Sequence, residues 1–345
     1  MLAIRLISGQ KDKWITDFVT STEWSGSDEQ ASRMVSFSTI NNPYNTAQQI
    51  DIKLGDLIMA YASDEDAEPS NKNCIFEGIV TSRERTSAMG TVSYEAKDFM
   101  HYLIRSTGSY NFKGKTAEKI AEMICDDLDI TTGKLYKTTK KIGSLLCENM
   151  SYYNIILKAY NKASKMLGDI TFMPVMNGRK FCVIAKNDHC GVVLSLDSDI
   201  TSAEFKENTD SMVNRIIVYQ KTDKKKKNAD DKAVKVLKTV QNQKNMNKYG
   251  IYQGTYTQEE NVDYTAAAKA LLTGVTKEAT VSAIGRLKCL SGYAVSIKAD
   301  EAGLKNKTGK VSGVFYIKSD SHKWENGIHT MDLTLAFSDT LEVVS

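Results

Sequence analysis

The chain is poor in proline. Pro43, Pro69 and Pro174 are the only three in 345 residues. No proline-rich linker separates its parts, so its compact units are expected to pack directly on one another. An excess of charge of one sign is also lacking. Formal net charge is +3, which argues against direct recognition of nucleic acid. No apolar run approaches the roughly 18 residues that a membrane helix requires, so no membrane insertion is expected. The six cysteines stand singly at positions 74, 125, 147, 182, 190 and 289. Zinc sites ordinarily show paired ligands at short spacing. Cys182, His189 and Cys190 form the closest cluster, and lone buried thiols are its simpler reading. Met1 to Gly9 alternates like a strand and has no small-residue cleavage site. A reducing compartment is therefore expected. The protein would stay in the cytoplasm, or leave by lysis or within a larger particle.

Catalytic signatures are missing as well. The histidines are His101, His189, His322 and His329. None belongs to a His-Glu-x-x-His pattern, and no Gly-x-Ser-x-Gly elbow occurs. His329 falls on the last predicted strand, where cross-strand pairing is its expected role. Gly108 to Thr116 approaches a phosphate-binding loop but has five residues, not four, before Gly114-Lys115-Thr116. The extra residue would misdirect the backbone N–H groups that cradle phosphate. A turn ending in a Thr helix cap is the expectation there. Glu118 and Glu122 lie one helical turn apart on a polar face and are expected to be solvated. No catalytic, cofactor-binding or metal-binding residue is assigned, and no cofactor is expected.

What is present is β-structure around a helical middle. A length of 345 residues suits two or three compact units. In the first hundred residues, Ile50–Lys53, Leu57–Tyr61, Ile75–Ser82 and Thr91–Ala96 read as short strands between turn clusters. An acidic, Asn- and Ser-rich loop spans Ser63 to Asn73. Thr116 can cap a helix to Leu128, with Ala117, Ile120, Ala121, Ile124 and Leu128 on one face. Ser151 can cap another to Leu167, burying Ile155, Ile156, Ala159, Tyr160, Ala163, Met166 and Leu167. A hairpin follows, 170–175 and 180–185, turning at Asn177-Gly178. Later come strands at 213–220 and 234–240 around a charged turn. That turn contains the run Lys224–Lys227, read as a solvated hairpin tip or a contact for an acidic partner. Asp263 can cap a helix carrying Ala266, Ala267, Ala270 and Leu271. Strands at 293–298, 314–318 and 331–337 close the chain. The last alternates, with Met331, Leu333, Leu335 and Phe337 on one face.

A weak internal repeat links the two β-regions. Gly55-x-x-Ile58-x-Ala60, then Phe76-x-Gly78-x-Val80, then Gly90 and a strand, matches Gly292-x-x-Val295-x-Ile297, Phe315-x-Ile317, and Gly327 and a strand. The expected fold class is α+β, mainly β, with two related β-domains flanking a small α/β insert. The boundaries are 1–105, 106–204 and 205–345.

Four stretches carry a resemblance to a known family. They are Lys113-Gly-Lys-Thr-Ala-Glu-Lys-Ile-Ala-Glu-Met-Ile, Glu148-Asn-Met-Ser-Tyr-Tyr-Asn-Ile-Ile, Met212-Val-Asn-Arg-Ile-Ile-Val and Gly327-Ile-His-Thr-Met-Asp-Leu-Thr-Leu. In order and spacing they resemble the XkdQ/YqbQ family of PBSX-type prophage tail proteins, over nearly the whole chain. The resemblance implies a baseplate hub of a contractile phage tail or a phage-tail-like, R-type bacteriocin particle. It implies tube-protein-like β-barrel domains, two per subunit, and a homotrimer whose ring of six adapts a three-fold spike to a six-fold tail tube. The implied partners are the tube protein ring, the central spike protein, other baseplate proteins and the tape-measure protein. The particle would assemble in the bacterial cytoplasm and be released by lysis. The acidic loop and the Lys run are not family hallmarks. A hydrolase label attached to some members finds no matching residues here. A tail-associated peptidoglycan hydrolase is the alternative, and it would need a cleft with two carboxylates.

Overall fold

A computed structural model describes residues 2–41, 50–63, 67–85, 90–168, 170–220, 235–259, 262–298 and 312–336. The Lys224–Lys227 run and Phe337 lie outside the described residues, as does part of the acidic loop. The chain opens with β1 (Leu2–Ser8), β2 (Lys11–Trp14), β3 (Val19–Ser27), β4 (Met34–Asn41), β5 (Leu57–Ala62), β6 (Cys74–Arg85) and β7 (Gly90–Asp98). A mixed middle follows: α1 (Met100–Arg105), β8 (Thr107–Lys115), α2 (Ala117–Asp126), β9 (Thr132–Leu135), β10 (Ile142–Ser151), α3 (Tyr152–Ser164), β11 (Phe172–Asn177) and β12 (Lys180–Ala185). The chain then runs through β13 (His189–Ser195), β14 (Ile200–Asn208), β15 (Arg215–Tyr219), β16 (Val236–Gln241), α4 (Gln243–Tyr249), β17 (Gln253–Thr257), α5 (Tyr264–Ala270), β18 (Thr276–Ile284), β19 (Ala294–Lys298), β20 (Ser312–Glu325) and β21 (Ile328–Ala336). The chain is mainly β with a few helices. No helix among the described residues is long and apolar enough to cross a membrane.

The caps form as their chemistry dictates. The Thr116 hydroxyl accepts from Lys119 N, the Ser151 hydroxyl from Asn154 N, and the Asp263 carboxylate from Thr265 and Ala266 N. Several expectations need correction. Ile50–Lys53 is not a strand: Lys53 N donates to the Asp56 carboxylate in a tight turn, although Ile52 is fully buried. The stretch Gly108–Lys115 is not a turn but strand β8, paired with β10. Helix α3 stops at Ser164, before Met166, which is therefore exposed. Helix α5 turns Ala268 inward and leaves Leu271 largely exposed.

The first and last regions share one sheet, in the order β14-β18-β21-β20-β3-β4-β7-β6-β5-β1-β2, with β19 joining β20 to β13. Thus β13 and most of β14, which lie before residue 205, pair with the C-terminal strands. No pairing among the described residues joins the two ends of this order into a closed barrel. The middle folds on its own core of Ile120, Ile124, Ile155, Ile156, Tyr160 and Phe181. The sheet β16-β15-β17 packs under α5.

Within the large sheet, β3-β4-β7-β6-β5-β1 matches β14-β18-β21-β20-β19-β13 in spatial order and in chain order. The registers agree as well. A bulge between Val80 and Ser82 on β6 recurs between Ile317 and Ser319 on β20. Another between Val19 and Ser21 on β3 recurs between Ile200 and Ser202 on β14. In the second pair the extra residues are Thr20 and Thr201. Their hydroxyls donate to the Ser38 and Ser282 carbonyls at 3.3 and 3.1 Å. Gly55 N donates to Val80 O at 2.9 Å, and Gly292 N to Ile317 O at 3.1 Å. Both glycines sit at positive φ, 88° and 92°, where any side chain would be strained. A bulge adds a residue and local twist, so its recurrence at one register point ties the copies residue by residue. This register keeps the expected Gly55/Gly292 and Ile58/Val295 matches. It sets Gly78, not Phe76, against Phe315, and Val92 against Met331, so the sequence alignment slips by two residues there. One pairing differs: β1 runs antiparallel to β5, whereas β13 runs parallel to β19.

Leu333 is fully buried on β21 in the C-terminal core. Leu333→Ala is expected to lose about 2–5 kcal/mol in urea unfolding through lost burial and a cavity. The exposed neighbour change Thr330→Ala should stay within about 0.5 kcal/mol.

Candidate interaction site at the junction of the two halves

β3 and β20 join the halves, with Asp320 opposite Gly26, His322 opposite Trp24 and Trp324 opposite Thr22. Arg33, just before β4, crosses this seam. Its Nη1 donates to Asp320 Oδ1 at 2.9 Å, and Nη2 bonds the other carboxylate oxygen. The guanidinium lies 4.2 Å from the centre of the Trp24 ring. Gly26 leaves the path open, since a Cβ there would run into the guanidinium. Asp320 is 2% exposed and also accepts from Ser291 N at 2.6 Å. Behind Arg33, the Asp98 carboxylate accepts from Ser32 Oγ, Arg33 N and Met100 N. Burial pushes the Asp98 carboxyl up to about 6, against the pull of those hydrogen bonds.

A buried aromatic stack fills the same seam. Trp324 and His329 lie face to face at 4.3 Å. His329 Nε2 meets His322 Nδ1 at 3.1 Å, and His322 Nε2 meets the Cys289 carbonyl at 3.1 Å. A carbonyl only accepts, so His322 donates from Nε2. In the neutral ring its Nδ1 then accepts from His329. Burial, and secondarily the His322 ring, pushes His329 down to about 3. The N-terminal core also takes Trp324, Leu287 and Leu290 from the far end of the chain.

Two smaller ties hold the middle region. Lys186 beyond β12 meets Asp28 at 3.0 Å, and the Tyr316 hydroxyl of β20 donates to the same carboxylate at 3.0 Å. Arg179 lies 3.6 Å from Glu77 on β6, beside a bridge between Phe76 and Gly178.

The residues singled out in sequence are not gathered into one place. His189 meets Ser296 Oγ at 2.8 Å and accepts from Gly191 N, so both ring nitrogens are engaged. The free thiol of Cys190 lies against that of Cys289 rather than Cys182. The hydrogen bond from Cys289 holds the Cys190 thiol below its ordinary value. Among the described residues no group of three or more His, Cys, Asp or Glu is placed to hold a metal. Glu118 is not simply solvated: it accepts from Thr138 N and Oγ1. Burial opposes its charge, but those bonds hold its carboxyl below the ordinary value. Glu122 pairs on the surface with Lys119. His329 makes the cross-strand pairing expected of it, opposite Trp324. The Arg33–Asp320 seam had no sequence signal, because its members are 287 residues apart.

A mainly β chain of this topology has the fold of prophage tail proteins. The 43 kDa tail protein of prophage MuSo2 from Shewanella oneidensis superposes with a TM-score of 0.67 at 12% identity, covering 99% of this chain and 100% of that one. The YQBQ-like family matches residues 22–336, and the chain belongs to it. Among its relatives, the phage-like element PBSX protein XkdQ of Bacillus subtilis is 26% identical over 276 residues, 77% of this chain and 79% of XkdQ. YqbQ of the same organism is 23% identical over 347 residues, 98% of each chain.

Two outcomes test the junction. Arg33→Met leaves a buried Asp320 carboxylate without its counter-charge, and is expected to lose roughly 3–5 kcal/mol in denaturant unfolding. Adding Asp320→Leu should recover part of that, the shortfall reflecting Ser291 N, which loses its acceptor. His329 has an ordinary value of 6.5 and about 3 in the fold. Between these the unfolded chain binds more protons, so its contribution to stability falls as pH drops below about 6.5. His329→Gln should lessen this loss, by up to about 2 kcal/mol at pH 5, in thermal melts across pH.

Proposed function

We propose that this chain is a structural hub of a contractile phage tail or phage-tail-like particle, and that it works by binding rather than catalysis. In this reading it forms a homotrimer that adapts a three-fold spike to the six-fold tail tube. It contacts the tube ring, the spike, other baseplate proteins and the tape-measure protein, and is assembled in the cytoplasm and released by lysis. The observation that carries the reading is the register-matched repeat, with both bulges at equivalent points of the two copies. Two copies per chain and three chains present six similar faces, and a closed ring needs such repeated contacts. The two copies act as tube-like domains, the C-terminal one entering at β13. The middle region from about residue 106 sits as an insert on the outside of that frame. The names and folds of the relatives support the tail setting.

Native mass spectrometry of the purified chain, with electron microscopy of assembled particles, tests this. Three copies per particle at the tube–spike boundary is the expected result. A chain found at another copy number, or absent from the particle, overturns it.

A further inference from the structure

The seam inside the chain has a counterpart that no other described strand fills. β3 carries β4 on one side and β20 on the other, whereas its match β14 forms a ladder only with β18 among the described residues. β20 carries β21 along one side and divides the other between β19, up to Tyr316, and β3, from Ser319. Its match β6 carries β7 along one side and ladders with β5 only up to Ile79. Ser82–Arg85 run on past β5 with no second ladder among the described residues, and all four are exposed. Glu204, Lys206 and Glu207 on β14 are exposed too.

We propose that Ser82–Arg85 of one copy pair antiparallel with β14 of a second copy, repeating between copies the β3–β20 ladder within each. This rests on the trimer reading above. The matched bulges set the register. Ser82 and Arg83 stand where Ser319 and Asp320 stand, and Asn208 and Glu207 stand where Ser27 and Gly26 stand. Ser82 then faces Asn208, Arg83 faces Glu207, Glu84 faces Lys206 and Arg85 faces Phe205. Two successive positions thus carry opposite charges directly across the ladder, the arrangement that favours a cross-strand pair. Charged side chains also keep an edge from pairing with unrelated strands.

The charges further sort one seam from the other. Within the chain the acid is on β20, as Asp320, and its base reaches across Gly26 from Arg33. At the edges without a second ladder among the described residues the acid is on β14, as Glu207, already 2.9 Å from Lys277, the match of Arg33. The base is on β6, as Arg83, which gives one N–H to the Ile52 carbonyl at 3.1 Å, lies 3.9 Å from the exposed Asp51 carboxylate, and has further N–H groups for a partner. Pairing β20 with β14 would set Asp320 against Glu207. Pairing β6 with β3 would set Arg83 beside Arg33. Each mismatch puts like charges together, so repulsion as well as attraction selects the partner.

The test uses full-length chain. Arg83→Glu and Glu207→Arg each should weaken trimer association roughly tenfold or more in native mass spectrometry, and the double reversal should restore it. Chains carrying Glu84→Cys mixed with chains carrying Lys206→Cys should give disulfide-linked pairs on treatment with diamide, a link that only contact between copies can make. Wild-type trimers that neither reversal weakens, with no such link, would overturn this pairing and leave the hub reading standing. A wild-type chain that stays monomeric, and takes no three-fold place in the particle, would overturn both.

Discussion

The large sheet is one object because β3 hydrogen-bonds to β20, and that ladder depends on the pair Arg33–Asp320. Along the seam neither strand offers a continuous apolar face: β20 there runs Ser-Asp-Ser-His-Lys-Trp, and its buried Phe315 and Ile317 lie before the ladder with β3. β3 reads Val-Thr-Ser-Thr-Glu-Trp-Ser-Gly-Ser and buries only Thr22 and Trp24. The seam is held instead by a desolvated ion pair roofed by Trp24, and by a stack of Trp324 on His329. Buried ion pairs return little net stability against a well-packed apolar substitute, because desolvation opposes the attraction. Their use here is consistent with selection of one partner strand, since a slip by one residue would leave both charges buried and unpaired.

Gly26 shows how backbone and electrostatics combine. A side chain there would block the guanidinium from Asp320, and the matching position of the other copy is Glu207. The two copies therefore keep one backbone plan, bulge for bulge, while their edges carry different chemistry. Shared architecture serves the core, and at this seam the copies differ in charge.

The parts of this fold legible in the sequence are those with strong local signals. Helices α2 and α3 follow from their capping hydroxyls and apolar stripes, and β21 follows from its alternation. Of the strands not predicted, β3 and β18 carry small or polar residues on both faces, whereas β4 alternates with Val35 and Phe37 inward and was not predicted either. β3 is rich in Ser and Thr, and β18 turns inward only Ala279, Val281 and Ala283. β8 was obscured by glycines at both ends that suggested a loop, when its pairing with β10 is what makes it a strand. The repeat was visible through Gly55 and Gly292, whose turns demand glycine. The slip of two residues after it comes from matching Phe76 to Phe315 by residue type, whereas the ladders set Gly78 against Phe315 with no difference in length between the copies. The junction was hidden for a different reason: its contacts join positions nearly a whole chain apart, and no local pattern announces them.

Carrying both copies on one chain changes how a ring of six could be built. The β3–β20 ladder forms within a molecule, where tethering stands in for concentration and the search is settled during folding. A ring assembled from such chains has half its contacts complete before any two molecules meet. As proposed, its formation would depend on the third rather than the sixth power of the subunit concentration. In the proposed trimer, that difference would set the protein level at which assembly can begin.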